Sequence, residues 1–118
     1  MAYPVMPSSG DIRVSTRTTN GTMITVPAGR VFCYDINITN SVSIAGNGNT
    51  TVTWNGVGSE IADGTVLLQC VVSGLALTVS ANTAYITGVV RAGANDCTIS
   101  FASSGTSAAS ATVSGYFL

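Results

Sequence analysis

A chain of 118 residues is long enough for one domain with a single core. Apolar residues make up 46% of it, which excludes disorder, while only 8% are charged, with no lysine, no histidine and a net charge of −1. That balance argues against nucleic acid or an anionic membrane as partner, and it gives so little colloidal protection that copies of the chain or another protein are expected to cover part of its surface.

Residues 1–10, MAYPVMPSSG, have no basic n-region and no long apolar run, so they do not read as a signal peptide. Pro4 and Pro7 hold Tyr3, Val5 and Met6 extended, and Ser8-Ser9-Gly10 forms a flexible joint. This predicts an N-terminal arm that lies on a partner, followed by one sandwich domain over 11–118. DIRVSTR (11–17) alternates Ile12, Val14 and Thr16, read as inward, with Asp11, Arg13, Ser15 and Arg17, read as outward. Arg13 and Arg17 would then flank the arm and pair with carboxylates of the partner. TMITV (22–26) turns Ile24 and Val26 inward. VFCYDINI (31–38) sets Phe32, Tyr34, Ile36 and Ile38 against Val31, Cys33, Asp35 and Asn37. SVSIA (41–45) and TTVTW (50–54) read as separate strands offering Val42 and Ile44, then Val52 and Trp54.

The stretch from Gly64 to Val90 carries no charge and is long enough to cross a bilayer. Gln69, Ser73, Thr78, Ser80, Asn82, Thr83 and Thr87 interrupt it and it alternates, so it reads as strands. TVLLQCVV (65–72) and LALTVSA (75–81), joined through Ser73-Gly74, read as a tight hairpin. AYITGVVR (84–91), CTISF (97–101) and ASATVSGYF (109–117) complete the set. In the last, Ala111, Val113, Gly115 and Phe117 form the core face, and Tyr116 and Leu118 point to a subunit or partner. An end this apolar is tolerable only if the strand is paired on both sides or covered.

Turn residues such as Asn20-Gly21, Pro27-Ala28-Gly29, Asn55-Gly56 and Asp63-Gly64 punctuate the strands. The pattern is all-β: an antiparallel two-sheet sandwich, jelly-roll-like, with about eight to ten short strands. An immunoglobulin-like sandwich is the second choice, and the Cys33, Trp54, Cys70 spacing gives it no support.

Catalysis by acid–base or nucleophilic routes draws mostly on His, Lys or paired carboxylates. Two of these are absent, and Asp11, Asp35, Glu60, Asp63 and Asp96 are scattered. No enzyme activity, metal or cofactor is expected. Cys33, Cys70 and Cys97 lack any CxxC spacing; an odd count without a secretion signal predicts free thiols made in a reducing cytoplasm.

With "VPAGRVFCYDI" (26–36) early and "ATVSGYFL" (111–118) at the end, the chain resembles small virion proteins of tailed bacteriophages, the capsid decoration, cement or head-fibre proteins with a jelly-roll body. The run "VSGYFL" is also similar to the closing strand of trimeric C1q/TNF-like jelly rolls. The resemblance covers residues 11–118. It implies a non-enzymatic protein, made in the host cytoplasm, that binds the major capsid protein on the capsid exterior as a dimer or trimer and reinforces it. Sparse charge and a last strand apolar on both faces at its end favour a homo-oligomer that is a trimer rather than a dimer. The alternative is a fibre, tail-tip or lectin-like module that recognises host surface glycans.

Overall fold

The computed structural model describes residues 11–43, 47–73, 79–105 and 108–118. They form eight antiparallel strands: β1 (Ile12–Arg17), β2 (Gly21–Val26), β3 (Val31–Ser43), β4 (Asn47–Asn55), β5 (Thr65–Ser73), β6 (Val79–Arg91), β7 (Cys97–Ser104) and β8 (Ala108–Phe117). Two four-stranded sheets result, ordered β1-β8-β3-β6 and β2-β7-β4-β5. Among consecutive strands only β4 and β5 are bonded to each other. Every other connection crosses between sheets, which is the interlocked Greek-key topology of a jelly roll.

Alternation builds the core. Phe32, Ile36, Ile38 and Val113 from the first sheet are fully buried against Val26, Val52, Trp54 and Ile99 from the second. Burying each such side chain stabilises the fold by roughly 1.5–3 kcal/mol. One polar residue crosses this interior. Asn40 of β3 is buried; its Nδ2 donates to the Cys70 carbonyl at 2.9 Å and to Thr50 Oγ1 at 3.3 Å, and its Oδ1 accepts from Cys70 Sγ at 3.2 Å. The amide thus ties β3 to both β4 and β5 of the opposite sheet, and it satisfies polar groups that burial would otherwise leave unpaired.

Tyr34 is flanked in register by Gly88 on β6 and Gly115 on β8. A Cβ at position 88 would lie 2.5 Å from the Tyr34 hydroxyl, and one at 115 would run into the Cys33 carbonyl. Only glycine allows these strands so close to the ring.

The structure corrects three sequence expectations. SVSIA is not a strand of its own: β3 runs unbroken from Val31 through Ser43, and Ile44 and Ala45 lie outside the described residues. TVLLQCVV and the described end of LALTVSA do not pair as a hairpin, residues 74–78 lying outside the described residues, and LALTVSA and AYITGVVR are not separate strands, since β6 runs unbroken from Val79 through Arg91. β5 pairs with β4, while β6 pairs with β3 over thirteen residues, Val31↔Arg91 to Ser43↔Val79. A local turn signal yields here to the burial of two inner faces, which requires the chain to change sheets.

The third correction is the facing of β1. Its register is Ile12↔Tyr116, Val14↔Ser114 and Thr16↔Thr112, so these residues share the outer face of the sheet with the polar side of β8. Ile12 is 50% exposed and Val14 70%. The inner side belongs to Arg13, Ser15 and Arg17, at the rim of the sandwich. The two guanidinium groups have specific partners there, described below, and that fixes the strand's facing against its hydrophobic pattern.

Candidate functional site

The antiparallel pairing brings the start of β1, the end of β8 and the 27–30, 56–64 and 92–96 connections to one end of the sandwich. Asp11, Arg13, Arg30, Glu60, Asp63, Arg91 and Asp96 all sit there, leaving Asp35 and Arg17 as the charges elsewhere. Phe117 closes the core at this end. Its ring lies 4.9 Å from Phe32, with the Arg13 and Arg30 guanidinium groups 5.2 and 5.0 Å from its centroid. Arg30 also pairs with Asp11 at 3.4 Å. The Phe117 amide donates to the Asp11 carbonyl and the Leu118 amide to the Val31 carbonyl, both at 3.0 Å.

The carboxylates here act mostly as loop staples. Asp96 Oδ1 accepts from the Ala28 amide and Asp63 Oδ1 from the Gly56 amide, each at 2.8 Å. Glu60 and Arg91 remain exposed at a shallow depression of about 390 Å³ floored by Gly29, Gly58 and Gly93. The depression offers no nucleophile with a base beside it. It offers a carboxylate and a guanidinium to a partner of mixed charge. Among the described residues, no three of His, Cys, Asp and Glu gather to hold a metal.

The second feature is the outer face of the β1-β8-β3-β6 sheet. Register sets Ile12, Tyr116, Cys33 and Val89 in one row across all four strands, with Val14, Ser114, Asp35 and Thr87 in the next. Val89 is 59% exposed, Tyr85 60% and Tyr116 39%. The Tyr85 hydroxyl donates to Asp35 Oδ1 at 3.2 Å, so the single carboxylate in the middle of this face is already partnered. Thr16 and Thr112 hydroxyls bond at 2.8 Å, and Thr39 and Ser110 at 3.0 Å. The Tyr116 hydroxyl is held above its ordinary pKa, chiefly by its hydrogen bond to Cys33 and repulsion from that group. Tyr85 is raised too, first by desolvation and then by Asp35. Both phenols therefore stay neutral at physiological pH.

The outer face of the other sheet is a contrast. Thr22, Ser100, Thr53 and Val66 form one of its rows, and Ala102, Thr51 and Gln69 another. It is mostly hydroxyls and amides, with Val66 and Val71 exposed on its edge strand β5.

The residues singled out from the sequence fall apart into separate groups. Tyr3, Val5 and Met6 lie outside the described residues. Arg13 belongs to the charged end. Arg17 lies at the opposite end of β1, where its guanidinium donates to the Thr19 carbonyl at 2.9 Å, to the Asn20 carbonyl at 3.2 Å and to the Thr22 carbonyl at 3.4 Å. It clasps the β1–β2 turn, so the geometry does not join it to Arg13. Tyr116 is in the apolar row, and Leu118, 67% exposed, extends past the end of β8. Sequence reasoning missed Tyr85, Val89 and Cys33. The signal for them is β6 itself, where Tyr85 and Val89 alternate with Ile86 and Val90, making both faces apolar.

No family model and no characterised protein sequence matches the chain. Among solved structures, it is similar to the Eiger TNF of S. frugiperda, with a TM-score of 0.52 and 11% identity over 93% of this chain and 87% of that one. It also aligns with a chain of infectious bursal disease virus, Gx strain, with a TM-score of 0.37 and 12% identity over 97% of this chain and 35% of the viral one. The first likeness, together with the strand order, establishes a jelly-roll-like sandwich as the fold.

Proposed function

We propose that this chain is a non-enzymatic structural protein of a virion. It forms a homo-oligomer, a trimer in preference to a dimer given its sparse charge and apolar last strand, and binds the outer surface of a capsid, reinforcing it as a decoration or cement protein does. The observation that carries this reading is the division of its surface. One end gathers seven of the nine charges and is where residues 1–10 join the sandwich, while a sheet face carries large apolar side chains and a single, already partnered carboxylate. Such a surface suits attachment at one end and contact with neighbours along one side. Two of the five carboxylates, Asp63 and Asp96, are engaged as loop staples and Asp11 in an ion pair, which supports a structural role.

The test is co-sedimentation of the purified protein with capsids stripped of their decoration proteins, followed by thermal disruption of the decorated shells. Binding at a fixed copy number with a raised disruption temperature is the expected result. Deleting residues 2–9 is expected to abolish binding and leave melting of the free protein unchanged. A second reading, recognition of host glycans, is supported by the hydroxyl and amide carpet on the β2-β7-β4-β5 sheet. Binding on a glycan array that Thr53→Arg abolishes, with no affinity for capsids, would favour it.

A further inference from the structure

We infer that the outer face of the β1-β8-β3-β6 sheet is covered by another copy of this chain, with the Ile12–Tyr116–Cys33–Val89 row at the centre of the contact. The inference deepens the homo-oligomer reading above by naming the surface, and it does not require a capsid.

Three observations carry it. The first is the exposure of Ile12, Val14, Tyr85, Val89 and Tyr116 on β1, β8 and β6, five large side chains, where the other outer face exposes two, Val66 and Val71, among Thr, Ser, Asn and Gln. Contiguous apolar surface of this kind marks an interaction site. The second is charge. The middle of the face carries one charge, the exposed Asp35 carboxylate, which accepts from the neutral Tyr85 hydroxyl and keeps its charge. One carboxylate offers little to select a strongly charged partner, and a net charge of −1 keeps overall repulsion between copies small.

The third is size. With strands about 4.8 Å apart and residues about 3.4 Å apart along them, three strands with outward rows from Val31 to Ser41, flanked by the six residues of β1, give a planar footprint on the order of 600 Å². Side-chain relief raises the accessible area toward the roughly 800 Å² per partner of a standard interface. The face has relief of both signs. A depression of about 320 Å³ beside Cys33, Val89 and Tyr116 lies toward the charged end, and a second of about 320 Å³, lined by small side chains including Ser41, Ala81, Ala108 and Ser110, lies toward the other. The same face therefore carries both protruding side chains and hollows to receive them.

The native thiols report on this contact. Cys70 and Cys97 are buried, whereas Cys33 is part-exposed on the face in question. The experiment measures the rate of Cys33 alkylation in the folded full chain across a wide range of protein concentration, beside the mass by light scattering. A mass that is a multiple of 11.9 kDa is expected, with Cys33 protected roughly tenfold or more at high concentration. Val14→Arg and Val89→Arg alter exposed side chains on opposite edge strands, so either can fail to fold without removing the test. Both are expected to give a folded monomer with fast-labelling Cys33. Thr25→Arg, on the outer face of the other sheet, is expected to change neither reading.

A monomeric wild type with fast Cys33 at every concentration would overturn the inference. So would an oligomer that keeps its mass in both valine variants, which would place the contact elsewhere. Protection that is independent of concentration and lost on deleting residues 2–9 would also overturn it, by showing that the chain's own arm covers the face. Failure to bind capsids would leave these readings untouched and would count against the virion role alone.

Discussion

Truncating Phe117 to alanine tests how the end of the chain is held. The ring is 5% exposed, stacks at a tilt on Phe32 and lies under two guanidinium groups. Losing a buried Phe to Ala costs about 3–5 kcal/mol, cavity included. Each cation–π contact adds about 0.5–1 kcal/mol where the guanidinium remains in water. The expected loss is therefore about 4–7 kcal/mol, a large part of the roughly 5–15 kcal/mol that holds a domain together. Leu118, with its side chain in solvent, should cost no more than about 0.5 kcal/mol on the same change. Urea unfolding in a Val89→Arg background reads the fold without contributions from assembly. With a slope of about 1–3 kcal/mol/M, the Phe117 variant moves the midpoint down by more than 1 M, or is unfolded outright. Equal losses at 117 and 118, or a Phe117 loss below about 1 kcal/mol, would refute the end-closure argument.

Gly115→Ala should prevent normal folding, because the added methyl meets the Cys33 carbonyl of a paired strand; a circular dichroism melt close to that of the wild type would contradict this. Asn40→Ala leaves Thr50 and Cys70 without their buried partner and should cost about 1–3 kcal/mol by urea titration, while Asn40→Asp, which sets a carboxylate against the Cys70 carbonyl, should cost more. Burial raises the Cys70 thiol above its ordinary 9.0 and the Tyr34 hydroxyl above its ordinary 10.0, so the fold prefers both neutral forms. That stability is complete below pH 9 and declines as pH rises past 9 and then 10; a melting temperature that is flat to pH 11 would contradict it.

Much of the sandwich was legible because alternation is a direct signal of burial. Phe32, Tyr34, Ile36 and Ile38 on β3, and Ala111, Val113 and Phe117 on β8, face inward as their spacing requires. Asn40 was legible in principle as well: it continues the even-numbered parity of β3, and only the assumption that a polar residue ends a strand hid it. The topology was harder to read. Ser73-Gly74 has the composition of a tight turn, but the pairing of β5 and β6 is decided by which strand completes which sheet, and that is a long-range property. The facing of β1 was not legible at all. Period-2 spacing separates two faces without saying which one is covered. For an edge strand bonded only to β8, the answer depends on the rim, where Arg13 stacks on Phe117 and Arg17 clasps the next turn.

The same two arginines explain the surface as a whole. A jelly roll is open at its rims, and a chain with four cations has placed two of them, Arg13 and Arg30, over the aromatic ring that closes one rim, and a third, Arg17, on a turn at the far end of the edge strand. Few charges are then left for the broad faces. On the β2-β7-β4-β5 sheet, hydroxyls and amides replace them and hydrate the face at no risk of repulsion. On the β1-β8-β3-β6 sheet hydroxyls such as those of Thr16, Thr112, Thr39 and Ser110 share the face with large apolar side chains, and turning Ile12 and Val14 outward enlarges the apolar area. A face that were merely tolerated in water would have gained from the opposite facing of β1, with its hydrophobic residues inside. The observed facing places on the surface the residues that a neighbouring copy would bury. If a copy covers this sheet as proposed, the flipped edge strand and the exposed Tyr116 and Val89 serve the same contact.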